Sequence, residues 1–401
     1  MPDSPDTIAS IARLSDRPEV ELVLSLTRPR IGPETSARIA ELLGGPVNWD
    51  YVRDFAWRHR LLPLLHNRLS KLHPDAPPEH VRQEFQHNAQ GISQHNLLLT
   101  GELVALNRAL SAQGIPALPF KGPMLAYTLY GNLAVRPFSD LDVLVRRDDV
   151  IRVGRILEAQ GFRPKLTLTP AQRSAFVRYE NDLTYIQEGT GIMLELHWRF
   201  FSRYVAFSLI GDFWSRLRTV RLAGSPMLAM PPEEHLLVLS VHGAKHLWVL
   251  LGWVLDVAQL LEVHGDIDWD YLARLARETG SERMLHLALI LASDLFGSEI
   301  PESRRRLMAD DAPAMALAAR VGRSIIAESE AVGGIAEHMF YLSARERLRD
   351  RLSYGWLWLF TPNYKDQSFI PLPDILSPLH YLIRPVRMAA DLAARVIRRG
   401  G

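Results

Sequence analysis

The chain has 401 residues, 47% of them hydrophobic and 23% charged, as is ordinary for a globular protein with a substantial core. A chain of this length holds roughly two or three domains of about 100–200 residues each. The formal net charge of +1 creates no overall field favouring nucleic acid or anionic lipid, so nucleic acid is not expected as a partner. The absence of cysteine excludes disulfides, thiolate metal sites and a cysteine nucleophile.

The beginning of the chain lacks the basic and apolar regions of a signal peptide. The longest apolar run extends only from Leu247 to Leu255, whereas a bilayer-spanning helix needs about 20 residues. We therefore expect a cytoplasmic protein without a membrane span. Residues 1–18 are rich in Pro, Asp and Ser and are predicted to form a disordered leader.

Residues 19–112 carry helical signals and almost no alternating stretches, which predicts an N-terminal helical subdomain. A Gly-Gly-Pro sequence ends one predicted helix at Leu43, and Asn48 is placed to cap the next one. A long helix is predicted from Glu79 to Leu110, leading into the first strand.

The hydrophobic pattern changes over residues 113–204, where short stretches of alternating residues follow helical segments. Strands are predicted over Ala117–Phe120, Leu141–Val145, Asp182–Gln187 and Ile192–His197, the last two joined by a glycine-rich turn. We expect a small mixed sheet with helices on one face.

Helical patterns return over residues 205–360, predicting a C-terminal helical subdomain that includes Phe207–Leu217 and Pro231–Trp248. Residues 361–401 are predicted to be a Pro-spaced, irregular tail closed by a basic helix over Val386–Arg399. The apolar positions of this helix are mostly small, which favours packing on the protein over a membrane surface. The predicted fold class is α+β, predominantly helical, with a small mixed sheet as the core between two helical subdomains.

Three carboxylates form the strongest chemical signal. Asp140 and Asp142 open a predicted strand two residues apart, so their side chains share one face. Glu195 lies between two leucines in another strand, where a carboxylate is costly to bury unless it is paired or metal-bound. Neighbouring strands would bring the three together. Such a set can hold two Mg²⁺ ions, or Mn²⁺ in their place, so all three are predicted metal ligands and catalytic residues.

A Lys-Gly turn between the first strand and a helix supplies candidate phosphate contacts. Gly122 permits close approach of the backbone, and Lys121 offers a point charge beside the free N–H groups of a helix N-terminus. Arg136 is a second candidate, although an ion pair with a neighbouring carboxylate explains it equally well.

The motifs together resemble the bacterial uncharacterised nucleotidyltransferase family, part of the DNA polymerase β-like superfamily. The similarity rests on Lys121-Gly122, Tyr130, the run from Arg136 to Val145, and Leu-Glu-Leu-His-Trp ending at Trp198. It continues through the helical run from His235 to His246, Trp248, Trp253 and Asp256, and then Leu372-Pro373 and Arg384-Pro385, covering residues from about 45 to 390.

The resemblance implies that Asp140, Asp142 and Glu195 hold metal, and that Lys121 and Gly122 stand where the superfamily has a Gly-Ser or Gly-Gly pair. Lys245 and His246 are expected to line the cleft opposite the carboxylates. The set predicted to bind nucleotide is therefore Lys121, Gly122, Arg136, Ser139, Lys245 and His246.

The implied activity is Mg²⁺-dependent transfer of a nucleotidyl group from a nucleoside triphosphate to a hydroxyl of a small molecule or peptide, releasing pyrophosphate. A second hypothesis is a degenerate member that binds a nucleotide or partner without turnover, favoured by the single glycine at the turn. A third is a toxin-like enzyme acting on tRNA, against which the near-zero net charge weighs.

Three histidines allow other interpretations. His242 and His246 are spaced to share a zinc ion on a helix, but the glutamate of a H-E-x-x-H motif is absent. A buried polar network or a nucleotide contact is the preferred interpretation. His197 shares a strand face with Glu195, and we expect it to make a structural hydrogen bond.

Overall fold

The computed structural model describes residues 17–201, 213–326, 335–362, 366, 369–370, 372, 376 and 379–399. The expected leader over residues 1–18 and the predicted helix over Phe207–Leu217 therefore lie largely outside the described residues. The described chain is α+β and predominantly helical, as its sequence predicts.

Within the described residues, five helices precede the first strand. The side chain of Asn48 accepts a hydrogen bond from the N–H of Tyr51 at 3.1 Å, which confirms the predicted cap. The helices are α1 (Pro18–Thr27), α2 (Pro33–Gly44), α3 (Trp49–Arg58), α4 (Leu62–Leu72) and α5 (Glu79–Ala112).

A mixed five-stranded sheet follows, in the order β1-β2-β5-β4-β3. The central strands β2 and β5 are parallel, and the other neighbouring pairs are antiparallel. Its strands are β1 (Ala117–Pro119), β2 (Asp140–Val145), β3 (Phe162–Pro164), β4 (Asp182–Gln187) and β5 (Met193–His197). The helices between them are α6 (Gly122–Tyr130), α7 (Val150–Ala159) and α8 (Pro170–Tyr179).

A second hairpin, β6 (Arg218–Leu222) and β7 (Ser225–Ala229), occupies a segment for which the sequence predicted neither a helix nor a strand. Ala223 and Gly224 both have positive φ angles, of 47° and 77°, as a tight two-residue hairpin turn requires. Asn107 of α5 donates a hydrogen bond to the Pro226 carbonyl at 2.9 Å, so the hairpin is attached to α5.

The remaining helices are α9 (Pro232–Lys245), α10 (Leu251–Val263), α11 (Trp269–Thr279), α12 (Glu282–Phe296), α13 (Glu302–Asp310), α14 (Ala312–Ile326), α15 (Ile335–Ser343), α16 (Leu348–Phe360) and α17 (His380–Arg399). Two predicted boundaries are wrong. α9 ends at Lys245, since Leu247 and Trp248 have φ angles of 59° and 52°. α17 begins six residues before Val386 and contains Pro385. None of the described helices is long and apolar enough to cross a bilayer.

The sheet separates two hydrophobic cores, and this arrangement positions the site. Leu141, Val143, Leu194 and Leu196 pack into a core shared with α5, α7 and the β6–β7 hairpin. The opposite face lies towards a second core, in which Phe120 and Leu144 meet the side chains of α9 and α10. The polar side chains of β2 and β5 therefore look towards the C-terminal helices.

Candidate functional site

Two carboxylates lie directly opposite each other on the central strands of the sheet. In the parallel pairing of β2 and β5, Asp142 is aligned with Glu195. The alternation of side chains along a strand sends the intervening leucines and valine into the core and leaves the carboxylates on the other face. The prediction that neighbouring strands bring Glu195 beside the aspartate pair is confirmed.

The Lys-Gly turn after β1 closes over the same carboxylates. The N–H of Phe120 donates to the Asp142 carbonyl at 3.3 Å, and Lys121 Nζ lies 3.1 Å from Asp142 Oδ1. Gly122 has a φ angle of +53°, and a Cβ there would lie 3.0 Å from the Asp140 carbonyl. Only glycine suits this position, because the turn both needs a left-handed backbone and presses against β2.

His197 completes a compact group of charged side chains. Its Nε2 lies 3.2 Å from Asp142 Oδ1 and 3.3 Å from Glu195 Oε2, and its ring packs edge-on against Phe120. The expected structural hydrogen bond at the end of the strand is therefore present, but it is made to both candidate metal ligands. His197 is thus part of the carboxylate cluster.

The charges of this cluster shift one another's pKa values. Burial alone would lower the pKa of His197, but its hydrogen bonds to Asp142 and Glu195 raise it to about 9. Burial would raise the pKa of Asp142, yet Lys121 and His197 hold it well below its usual range. Asp142 is therefore a buried carboxylate held ionised by two cations.

Asp140 and Glu195 have different electrostatic surroundings. Burial and the charge of Asp142 raise the pKa of Asp140 to about 6. The hydrogen bond from His197 lowers the pKa of Glu195. The side chain of Glu195 is one-third exposed, at 33%, so it reaches towards the open side of the site.

Asp142, Glu195 and His197 fit a divalent cation. One ligand atom from each lies within 4.8 Å of the others, and within the described part of the chain they form the one group of three or more such side chains. Two carboxylate oxygens and an imidazole nitrogen are a donor set for divalent metals. Asp140 lies outside this group, and His242 and His246 belong to no such group.

The end of α9 faces the carboxylates across the site. His242, His246 and Trp253 form an aromatic cluster with ring centroids 4.7–5.5 Å apart. Burial and the neighbouring Lys245 lower the pKa of His246 to about 4, so this ring is neutral at physiological pH. Lys245 lies within the electrostatic reach of Lys121 and Glu195, and burial lowers its pKa.

The two remaining predicted nucleotide contacts, Ser139 and Arg136, have different surroundings. Ser139 is exposed immediately before β2. Arg136 is mostly buried and makes a bidentate ion pair with Asp256 of α10, with Nε–Oδ1 and Nη2–Oδ2 distances of 2.7 and 2.8 Å. The structure thus directs the guanidinium of Arg136 towards a carboxylate, which was one of the two interpretations that the sequence left open.

Asp182, on the neighbouring strand β4, is a fourth carboxylate near the cluster, and the sequence motifs did not indicate it. It is aligned with His197 in the antiparallel pairing of β4 and β5. Burial raises its pKa, and it lies within electrostatic reach of Asp142 and Glu195. Its position at the start of an alternating strand was the available signal, since Asp140 begins β2 in the same way.

A sequence model of the family described as "Uncharacterised nucleotidyltransferase" matches residues 45–297 of the chain. The chain belongs to this nucleotidyltransferase family. The matched range contains every residue of the candidate site, including the carboxylates, the Lys-Gly turn and the end of α9. It stops before the tail motifs near residues 372 and 384, which the expected resemblance included. No curated protein and no solved structure matches the chain.

Proposed function

We propose that the protein is a metal-dependent nucleotidyltransferase that moves a nucleotidyl group from a nucleoside triphosphate to a hydroxyl of a small molecule or peptide. The observation that carries the proposal is the alignment of Asp142 with Glu195 on adjacent parallel strands, with Lys121 of the Lys-Gly turn beside them. Membership of a nucleotidyltransferase family supports it. A reaction that consumes nucleoside triphosphates would place the protein in the cytoplasm.

The carboxylates would hold one or two Mg²⁺ or Mn²⁺ ions, with Asp142 and Glu195 as ligands and Asp140 as a further ligand on the same strand face. Such ions neutralise phosphate charge and lower the pKa of a bound hydroxyl group. Lys121 and His197 balance the charge of Asp142.

The reaction forms a bond between the acceptor oxygen and the α-phosphorus and breaks the bond to the pyrophosphate oxygen. Glu195 is the most exposed member of the cluster and would take the proton of the acceptor hydroxyl. Lys121, Gly122 and Ser139 would contact the phosphates at the turn and the start of β2. Lys245 and His246 would line the opposite wall, and Arg136 would act by holding the wall in place through Asp256.

Binding without turnover is the second candidate function. Asp142 already receives both Lys121 and His197 on Oδ1, so a metal ion would have to bind the other carboxylate oxygen or displace one of these contacts. A single glycine also replaces the glycine pair of the superfamily at the turn. Both observations favour a protein that binds a nucleotide and does not transfer it.

Calorimetry with ATP, GTP, CTP and UTP, with and without Mg²⁺ or Mn²⁺, tests both candidates. The proposal predicts metal-dependent binding of at least one nucleotide, its loss in the Asp142→Asn variant, and pyrophosphate release once an acceptor from a metabolite and peptide panel is supplied. Binding that leads to no pyrophosphate with any acceptor, tRNA included, would support the second candidate. Binding of none of the four nucleotides would exclude both.

A further inference from the structure

The turn that follows α3 holds an arginine in a conformation that is normally occupied by glycine. Arg60 has a φ angle of 61°, in the left-handed region. Its N–H donates to the Trp57 carbonyl at 3.1 Å, and the next N–H, of Leu61, donates to Ala56 at 2.7 Å. These bonds terminate the helix as a left-handed cap does, so the backbone conformation of Arg60 is imposed by the structure around it.

This turn is attached to the beginning of α10, far away in the sequence. The N–H of Gly252 donates to the His59 carbonyl at 3.1 Å, and the N–H of Leu251 lies 3.4 Å from His59 Nδ1. Arg60 and Arg136 also line the same small cavity. α10 also carries Asp256, the partner of Arg136. The position of Arg60 is therefore coupled to the Arg136–Asp256 ion pair.

The side chain of Arg60 is exposed, and among the described residues it makes no hydrogen bond or ion pair. Its electrostatic neighbours are Arg136, Asp140 and Asp256. Asp256 is already satisfied by Arg136 and Tyr130, and Lys121 is paired with Asp142. Arg60 therefore brings a guanidinium with its N–H donors uncommitted to the side of the site where Asp140 lies.

We propose that Arg60 binds the polyphosphate of the nucleoside triphosphate. The guanidinium offers paired N–H groups that match two phosphate oxygens, and an anion there would relieve the repulsion between Arg60 and Arg136. This inference rests on the proposed function, because it names a contact to the same substrate.

The test compares Arg60→Gly with Arg60→Lys and with Arg58→Ala. Glycine suits the left-handed backbone, so Arg60→Gly removes the charge while leaving the turn unstrained, and its melting temperature should not fall. Arg58 is exposed in the last turn of α3, and its replacement removes the same charge from the same region. The probes are ATP, GTP, CTP and UTP with Mg²⁺, the corresponding monophosphates, and inorganic tripolyphosphate.

We expect Arg60→Gly to weaken triphosphate and tripolyphosphate binding by about 10- to 100-fold, as for loss of a charged hydrogen-bonding group, and Arg60→Lys to weaken it less. Monophosphate binding and the Arg58→Ala variant should remain near the wild-type values. Equal triphosphate affinity in Arg60→Gly, or an equal loss for monophosphates, would overturn this inference alone. A wild-type protein that binds none of the nucleotides would instead remove the proposed function and this inference with it.

Discussion

Arg136 and Asp256 are 120 residues apart in the chain and form a two-point ion pair. The hydroxyl of Tyr130 donates to the same carboxylate at 2.8 Å. Asp256 is only 1% exposed, so water cannot replace these partners. Tyr130 ends α6, Arg136 leads into β2, and Asp256 lies on α10. The pair therefore fixes the carboxylate strand to the C-terminal helices.

Replacing Asp256 by alanine should lower the free energy of unfolding by about 3–5 kcal/mol, because a buried guanidinium and a buried phenol lose their partner. Removing both charges in Arg136→Met/Asp256→Ala should cost less than Asp256→Ala alone. Chemical denaturation of the two single variants, the double variant and the wild type gives the coupling energy. Additive effects of the two substitutions would show that the ion pair does not carry the interaction.

Metal affinity should depend on the cluster of Asp142, Glu195 and His197. We expect Asp142→Asn and Glu195→Gln each to weaken Mn²⁺ binding at least about 10-fold, since each removes a charged ligand. Asp182→Asn is the matched control, because Asp182 lies beside His197 on the neighbouring strand β4 but outside the three-residue group. Calorimetry or electron paramagnetic resonance of Mn²⁺ measures the affinities. A loss in Asp182→Asn as large as in Asp142→Asn would contradict this ligand set.

The Asp140→Asn variant decides whether the third predicted ligand binds metal. Its side chain shares the strand face of Asp142 but lies outside the group of convergent ligand atoms. If it binds a second ion, Asp140→Asn should reduce the number of bound ions from two to one in the presence of a nucleoside triphosphate. An unchanged stoichiometry would assign Asp140 a role that does not include metal.

Gly243 should not tolerate a side chain, because the ring of Trp248 lies against its Cα. A Cβ at this position would come within 2.4–2.5 Å of three ring atoms. Gly243→Ala should therefore destabilise the protein by about 1–3 kcal/mol and displace the end of α9. Gly101→Ala is the control, because its Cβ meets nothing within 4 Å and alanine favours the helix interior. Equal melting temperatures for the two variants would refute this account of the turn.

Asp294 should make stability depend on pH away from the candidate site. It is buried near the end of α12 with Oδ1 unpaired, and burial raises its pKa to about 7. Because the folded state holds the proton more tightly than the unfolded state, stability falls as the pH rises from about 4 to about 7 and then levels off.

The Asp294→Asn variant removes this titration. Relative to the wild type, it should gain roughly 2–4 kcal/mol of stability between pH 4 and pH 8, an upper range for a shift of this size. Denaturation at several pH values measures the difference, in which the titration of all other groups cancels. A difference that does not change with pH would mean that Asp294 is not protonated in the folded protein.

Local patterns in the sequence were enough to locate the carboxylate strands. The predicted strand over Leu141–Val145 begins one residue late, and that over Ile192–His197 one residue early. The alignment of Asp142 with Glu195 also needs the pairing of β2 with β5. The cap at Asn48 and the shared strand face of Asp140 and Asp142 follow from short-range rules of capping and alternation. Such rules act over a few residues, so they need no knowledge of the rest of the fold.

The errors and omissions depend on contacts between distant segments. α9 ends early because the ring of Trp248 is buried against Gly243. The helix propensities of the residues in this segment do not predict that packing. His197 was expected to be structural, and only the approach of the turn at Lys121 shows that it shares Asp142 with a second cation. No sequence motif indicated Arg60, because its position near the site depends on the contact of its turn with α10.

The spacing of Asp140 and Asp142 along the chain already restricts the chemistry, because alternation puts both carboxylates on one face of their strand. Which cations reach the carboxylates depends on tertiary packing, because Lys121 lies 21 residues and His197 lies 55 residues from Asp142 along the chain. An arginine beside a phosphate and an arginine in a buried ion pair look alike in sequence. In the folded chain, Arg136 is paired with the buried Asp256, and Arg60 is exposed.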